Sequence, residues 1–229
     1  MIRIKAAITT ACTVALVGVG ALTGPLVAHS DDTVLGPDAG PDALAARIVA
    51  GMTNTSLVVM PDGRICGWGN PFTEQFGEWV NGVYSASTPT CFTLPGEVPA
   101  TAISADMHAV ALGADGVAYT WGGSIEGAVA YEVDDQPAYL PRPVAMPVTT
   151  RVTAVSAGFS HTAVLTEDGD IYMSGSNSYG QLGDGSESPS ARGETSVKVT
   201  ADDVAFTAIS AGNKHTLAVS GEGRVYAWG

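Results

Sequence analysis

Residues 152–183 read VTAVSAGFSHTAVLTEDGDIYMSGSNSYGQLG. Val152 to Gly158 is β-branched and apolar, which spells a strand, and Ser160 to Thr166 spells a second. Glu167-Asp168-Gly169-Asp170 supplies the turn into a third, Ile171-Tyr172-Met173, which ends at Ser174-Gly175. A polar, glycine-rich loop runs on to Glu194, Thr195 to Thr200 offers a fourth strand, and Phe206 to Gly212 starts the cycle again. No helical periodicity interrupts it. Four short strands in a unit of this length describe a propeller blade.

The unit is copied along the chain. Its turn glycines are Gly63, Gly116, Gly169 and Gly223, at intervals of 53, 53 and 54 residues. A period that regular reports one supersecondary unit stacked on itself. Eight residues before each glycine stand Thr55, His108, His161 and His215, and five after it stand Trp68, Trp121, Ser174 and Trp228. Runs such as Leu57-Val58-Val59 and Ala163-Val164-Leu165 are apolar on both faces, as strands sandwiched between neighbouring sheets must be. The expected fold is all-β: four-stranded antiparallel blades, three full repeats plus part of a fourth, spanning residues 47–229.

The pattern Ala-Gly-x-x-His, apolar strand, Asp-Gly, aromatic strand, Trp-Gly, Asn-x-x-Gly-Gln-Leu-Gly resembles the regulator-of-chromosome-condensation repeat family. Ala157, Gly158, His161, Asp168, Gly169, Asn177, Gly180, Gln181, Leu182 and Gly183 carry it in the third repeat. Ala211, Gly212, His215, Gly223, Trp228 and Gly229 carry it in the fourth. The first keeps Asp62, Gly63, Trp68, Gly69, Gln75 and Gly77 with Thr55 in place of the histidine, and the second has Ala128 where the glutamine belongs. The resemblance implies a seven-bladed ring, which at this period needs about 371 residues. The reading is therefore a partial ring, from a truncated chain or from one whose copies associate to cover the open blade faces.

Arg3 and Lys5 precede an uncharged apolar stretch, Ala6 to Ala28, broken at Gly24-Pro25 and ending in small residues at Ala28-His29-Ser30. That composition reads as a secretory signal peptide over residues 1–30, or else an uncleaved membrane anchor. Residues 31–46, rich in Asp, Gly and Pro, read as a flexible linker. Without residues 1–30 the chain carries 8 basic and 23 acidic residues, a net charge of −15, which repels phosphate backbones and excludes general nucleic-acid binding. No membrane span is expected after cleavage. Cys66 and Cys91 then remain as an even pair; they form a disulfide, the favoured reading, or stay as two separate thiols.

His108, His161 and His215 are the tempting candidates for metal or catalytic chemistry. They recur once per blade at one register, a full blade apart, so the structural reading as packing residues is preferred. Gly158-Phe159-Ser160-His161-Thr162 misses the nucleophile elbow by one glycine and lies between two strands. The acidic groups Asp168-Gly169-Asp170, Asp184-Gly185-Ser186-Glu187 and Glu132 with Asp134 and Asp135 lack calcium-loop spacing and read as wet turns. No catalytic, cofactor or metal site is expected. The leading expectation is a secreted scaffold that binds a protein partner through loops such as 72–87 and 176–194, with Trp79, Tyr84 and Tyr179 as anchors. Alternatives are guanine-nucleotide exchange implied by the family, polysaccharide cleavage by a propeller enzyme, and β-lactamase inhibition.

Overall fold

The computed structural model describes residues 2–4, 48–51, 55–69, 86–123, 139–186, 190–191, 197–199, 201 and 203–229. They form four antiparallel sheets. The first comprises β2 (Ile48–Gly51), β3 (Thr55–Val59), β4 (Ile65–Gly69) and β5 (Ala86–Phe92). The second comprises β6 (Ala100–Ala105), β7 (His108–Gly113), β8 (Ala118–Gly123) and β9 (Tyr139–Ala145). In the third, β10 (Val152–Ala157), β11 (His161–Thr166) and β12 (Ile171–Ser176) are joined by two short strands that both pair β12, β13 (Ser190–Ala191) and β14 (Val197–Lys198). The fourth comprises β15 (Phe206–Ala211), β16 (Thr216–Ser220) and β17 (Val225–Trp228). Its outer edge pairs with β1 (Ile2–Ile4), with Arg3 opposite Tyr226.

Val197–Lys198, inside the strand expected over 195–200, pair with β12. Ser190–Ala191, in the stretch expected to be loop, pair with β12 as well, and residues 192–196 lie outside the described residues. The fourth blade, read as ending at three strands, has its outer edge taken by Ile2–Ile4, which meet the backbone groups β17 would otherwise leave open. Residues 5–47, including most of the export-signal segment and all of the linker, lie outside the described residues. So do Trp79, Tyr84, Glu132, Asp134 and Asp135.

Each hairpin between second and third strands turns on the repeat glycine. Gly169 N–H donates to Thr166 O at 3.0 Å with Gly169 at φ 81°, a type I turn closed by a left-handed residue that glycine alone adopts without strain. The same glycine ties blade to blade: its carbonyl accepts from Phe206 N–H at 2.8 Å, as Gly116 does from Val152 and Gly63 from Ala100. On the innermost strands the register slips by one residue beside Thr101, Thr153 and Thr207. Their hydroxyls donate to Leu112 O, Leu165 O and Val219 O at 3.1, 3.2 and 3.3 Å, satisfying carbonyls at each bulge.

Apolar side chains fill the space between sheets. Leu57, Val59 and Ile65 of the first blade pack on Ala109, Ala111, Tyr119 and Trp121 of the second. Val110 and Ala118 of the second meet Val152, Ala157 and Val164 of the third. Ala163, Leu165, Ile171 and Met173 of the third meet Phe206, Ala218, Tyr226 and Trp228 of the fourth. Each strand therefore has a leading face toward the preceding blade and a trailing face toward the next, both apolar. That is why the sequence shows runs rather than alternation.

Candidate functional site

The histidine column sits at these interfaces. His108 and His161 begin β7 and β11, where they face Gly122 and Gly175 across the hairpin, and both are fully buried. Each reaches forward into the next blade. His108 Nε2 lies 2.6 Å from Thr162 Oγ1, and His161 Nε2 lies 3.0 Å from Thr216 Oγ1. Thr216 donates its single proton to Gln181 O at 3.1 Å, so its oxygen accepts from His161, which is the Nε2–H tautomer. Nδ1 of neither ring has a hydrogen-bond partner among the described residues.

That arrangement fixes the charge state. A proton on Nδ1 would be a buried cation with no acceptor, so burial pushes the pKa of His108 down to about 3, with His161 adding repulsion. His161 falls to about 4, again chiefly through burial and then through repulsion from His215, while the His215 backbone pulls weakly the other way. Both rings are neutral hydrogen-bonding groups at physiological pH.

The other two members of the column explain the pairing. Thr55 faces a second blade whose residue in the Thr162 column is Ala109, which has no hydroxyl to offer an imidazole. Where the partner hydroxyl is missing, the histidine is missing too. His215 is exposed, unlike His108 and His161. Of the three histidines expected to play one role, the structure buries two and leaves His215 exposed.

Gln181 is the hub of the third-to-fourth interface. Its carbonyl accepts from Trp228 Nε1 at 2.8 Å as well as from Thr216, and its side-chain Oε1 accepts from Tyr179 N–H at 2.9 Å. Asn177 holds the same loop shut, accepting from Leu182 N–H at 2.9 Å and donating to Asp184 and Ser186. The family's Asn-x-x-Gly-Gln-Leu-Gly stretch thus works as a clasp between blades. Trp121 is fully buried, Trp228 nearly so, and Trp68 half-buried. Outside the clasp Tyr179 stands 55% exposed, with Lys214 Nζ 2.7 Å from its hydroxyl and 4.0 Å from its ring centre. Cys66 and Cys91 face each other on β4 and β5, and their sulfurs are bonded.

Among the described residues no group of three or more His, Cys, Asp or Glu side chains is placed to hold a metal ion, and no helix is long and apolar enough to cross a membrane. The residues sequence reasoning missed are the hydroxyls Thr162 and Thr216 and the serines Ser104 and Ser156. These serines accept from Ala157 and Ala211 N–H at 3.0 and 2.9 Å. The signal was present: each partner threonine directly follows a column histidine.

Four-stranded blades stacked face to face with these inter-blade ties define a propeller-type repeat protein. The Regulator of chromosome condensation (RCC1) repeat matches over residues 115–165 and 168–219, and a second form of that repeat over 152–181. The chain belongs to that family. It is 30% identical over 174 residues to the probable E3 ubiquitin-protein ligase HERC3 of Homo sapiens, covering 76% of this chain and 16% of that protein. It is 29% identical over 203 residues to the mitochondrial RCC1 domain-containing protein RUG3 of Arabidopsis thaliana, covering 84% and 43%. Among solved structures Prp20p of Saccharomyces cerevisiae superposes with a TM-score of 0.65 at 21% identity, over 75% of this chain and 42% of that one. The chain spans less than half the length of these proteins.

Proposed function

We propose that this protein is an exported propeller scaffold that binds a protein partner through the loops at one end of its blades, with no chemistry of its own. One observation carries the reading: Tyr179, a large exposed aromatic, is held in place by Lys214 of the neighbouring blade. An aromatic pre-ordered on a rigid blade loses little entropy on contact, which is what an interface anchor needs. Members of the family bind proteins or act as exchange factors, and Prp20p is described through its binding to Gsp1p and histones. His108 and His161 hold blades together, since both reach a hydroxyl of the next blade rather than a shared cavity. Export is argued from the apolar segment behind Arg3 and Lys5, from the acidic balance of the remainder and from the cysteine pair, and cleavage after about Ser30 would take β1 away from the edge of β17.

The test is a photoreactive amino acid placed at position 179, with the same residue at 222 on the opposite blade end as the control. A discrete protein adduct from the culture medium at 179 and none at 222 is expected. Equal labelling at both positions, or none at 179, would refute this surface as the binding site.

A further inference from the structure

The two bonded cysteines differ in their surroundings. Cys66, on β4, is 2% exposed, whereas Cys91, directly opposite on the outer strand β5, is exposed. That exposure belongs to the position and not to the first blade. The same pair of columns holds Tyr119 and Ala145 in the second blade and Tyr172 and Lys198 in the third. The first blade packs on Tyr119 and the second on Tyr172, yet Ala145 and Lys198 are exposed. A blade with a neighbour on this face therefore still leaves its outer-strand position open to solvent. One end of the disulfide is reachable and the other is not.

The bond also lies where β5 has little else to hold it. Regular pairing with β4 covers only Thr90, Cys91 and Phe92, opposite Gly67, Cys66 and Ile65, and the disulfide is the middle rung. Next to Thr90 stands Pro89, which has no N–H to give a ladder, and the following pair is Ala86 with Gly69 across an irregularity. What this short strand carries matters to the neighbouring blade. Phe92 meets the fully buried ring of Trp121 edge-on, with ring centres 5.6 Å apart, and Leu94 is buried in the same cluster between the first two blades. A covalent link on an edge strand thus governs an aromatic contact between blades.

We propose that Cys91 is a site of reversible thiol–disulfide exchange with a small-molecule thiol, and that exchange frees β5 and loosens Phe92 from Trp121. The incoming thiolate attacks Cys91 Sγ. A new S–S bond forms there, the bond to Cys66 breaks, and its electron pair leaves on Cys66 Sγ, which takes a proton from water. A second molecule of thiolate then attacks the reagent's sulfur in this mixed disulfide and releases Cys91 as a thiolate. Two thiols are oxidised to one disulfide, and two electrons pass to the two cysteines. The oxidised reagent runs the same steps backwards, because β3 and β4 keep Cys66 in place and buried Leu94 tethers the end of β5 beside it.

Reduced glutathione added to the folded full chain reads the claim without a variant. Mass spectrometry after acid quenching, on each cysteine's own peptide so that Cys12 is kept apart, should find the glutathionyl adduct on Cys91 and a free thiol at Cys66. Oxidised glutathione should restore the bond. Amide exchange at Phe92 should be about tenfold faster in the reduced chain, while the β10–β11 hairpin of the third blade exchanges equally in both states. Single variants check the asymmetry: Cys66→Ser leaves Cys91 for iodoacetamide, Cys91→Ser leaves Cys66, and the first should be alkylated about tenfold faster. A bond that opens only in denaturant overturns the proposal. So does an adduct on Cys66, a bond that oxidised glutathione fails to restore, equal alkylation of the two variants, or a Phe92 amide whose exchange ignores the redox state.

Discussion

Mild acid should loosen the blade interfaces, and the buried imidazoles set how much. Unfolded, each histidine titrates near 6.5; folded, His108 and His161 titrate at about 3 and about 4. Between those limits the unfolded chain takes up two protons that the native chain refuses, so stability falls as pH drops below 6.5 and levels off only below about 3. At pH 5 each unfolded imidazole is almost fully charged, which costs about 2 kcal/mol per histidine, or about 4 kcal/mol for the pair. That is a large part of the 5–15 kcal/mol that holds a typical domain together. The carboxylates held below their ordinary range, Asp62 by its hydrogen bonds from Arg64 and Asp184 by those from Ser186 and Asn177, lose their contribution only at lower pH. Asp106, raised by burial, acts in the opposite sense. The interval from pH 7.5 to 5 is therefore where the two buried histidines lower stability. Denaturant unfolding at both pH values measures the loss. Replacing His161 by Gln keeps an N–H for Thr216 and removes the titration, so the pH-dependent loss should fall by about half. Equal stability at pH 7.5 and 5, or an undiminished loss in H161Q, would refute the reasoning.

Cutting the Cys66–Cys91 link by substituting both residues with serine should cost about 3 kcal/mol on the chain-entropy view of a loop with sequence separation 25, and two free thiols in unreduced, unfolded wild type would contradict it. Gly169→Ala should destabilise more than Gly223→Ala: both glycines lie at positive φ, but only the first would drive a methyl into Ala205, and thermal melts of the two variants rank them. Trp228→Phe keeps the ring in its pocket and removes the Nε1–H donated to Gln181 O, a loss of about 1 kcal/mol because Thr216 still donates to that carbonyl. Tyr179→Ala, at an exposed site, should leave the melting temperature nearly unchanged while abolishing capture of the partner from culture medium by the purified chain.

The repeat glycines and the strand runs made the blades legible because one turn conformation and one packing environment recur at every copy, and recurrence averages out local ambiguity. Irregular pieces were less legible. β13, the further outer piece of the third blade, pairs β12 from within a glycine- and serine-rich stretch that carries no strand pattern. The fourth blade's outer edge is taken by Ile2–Ile4, a partner separated by almost the whole chain, and no local pattern announces a pairing of that range. At the site, the histidine column was visible but its direction was not. Whether an imidazole points to the previous blade, the next or a channel depends on which face of the strand the column occupies. Only register settles that. Thr55 looked like a lost histidine; with Ala109 across the interface it is the residue the missing hydroxyl allows.

A double-mutant cycle across the third-to-fourth interface tests most directly whether the histidines act as pins between blades. His161→Ala, Thr216→Ala and the double substitution are compared with the wild type by denaturant unfolding at pH 7.5. Each single change should cost about 1–3 kcal/mol, since it strands a buried group, and the two should be coupled by about 1 kcal/mol, because the second change removes a partner already lost. Strictly additive losses, or a stable H161A protein that has lost a binding or catalytic activity instead, would contradict the account.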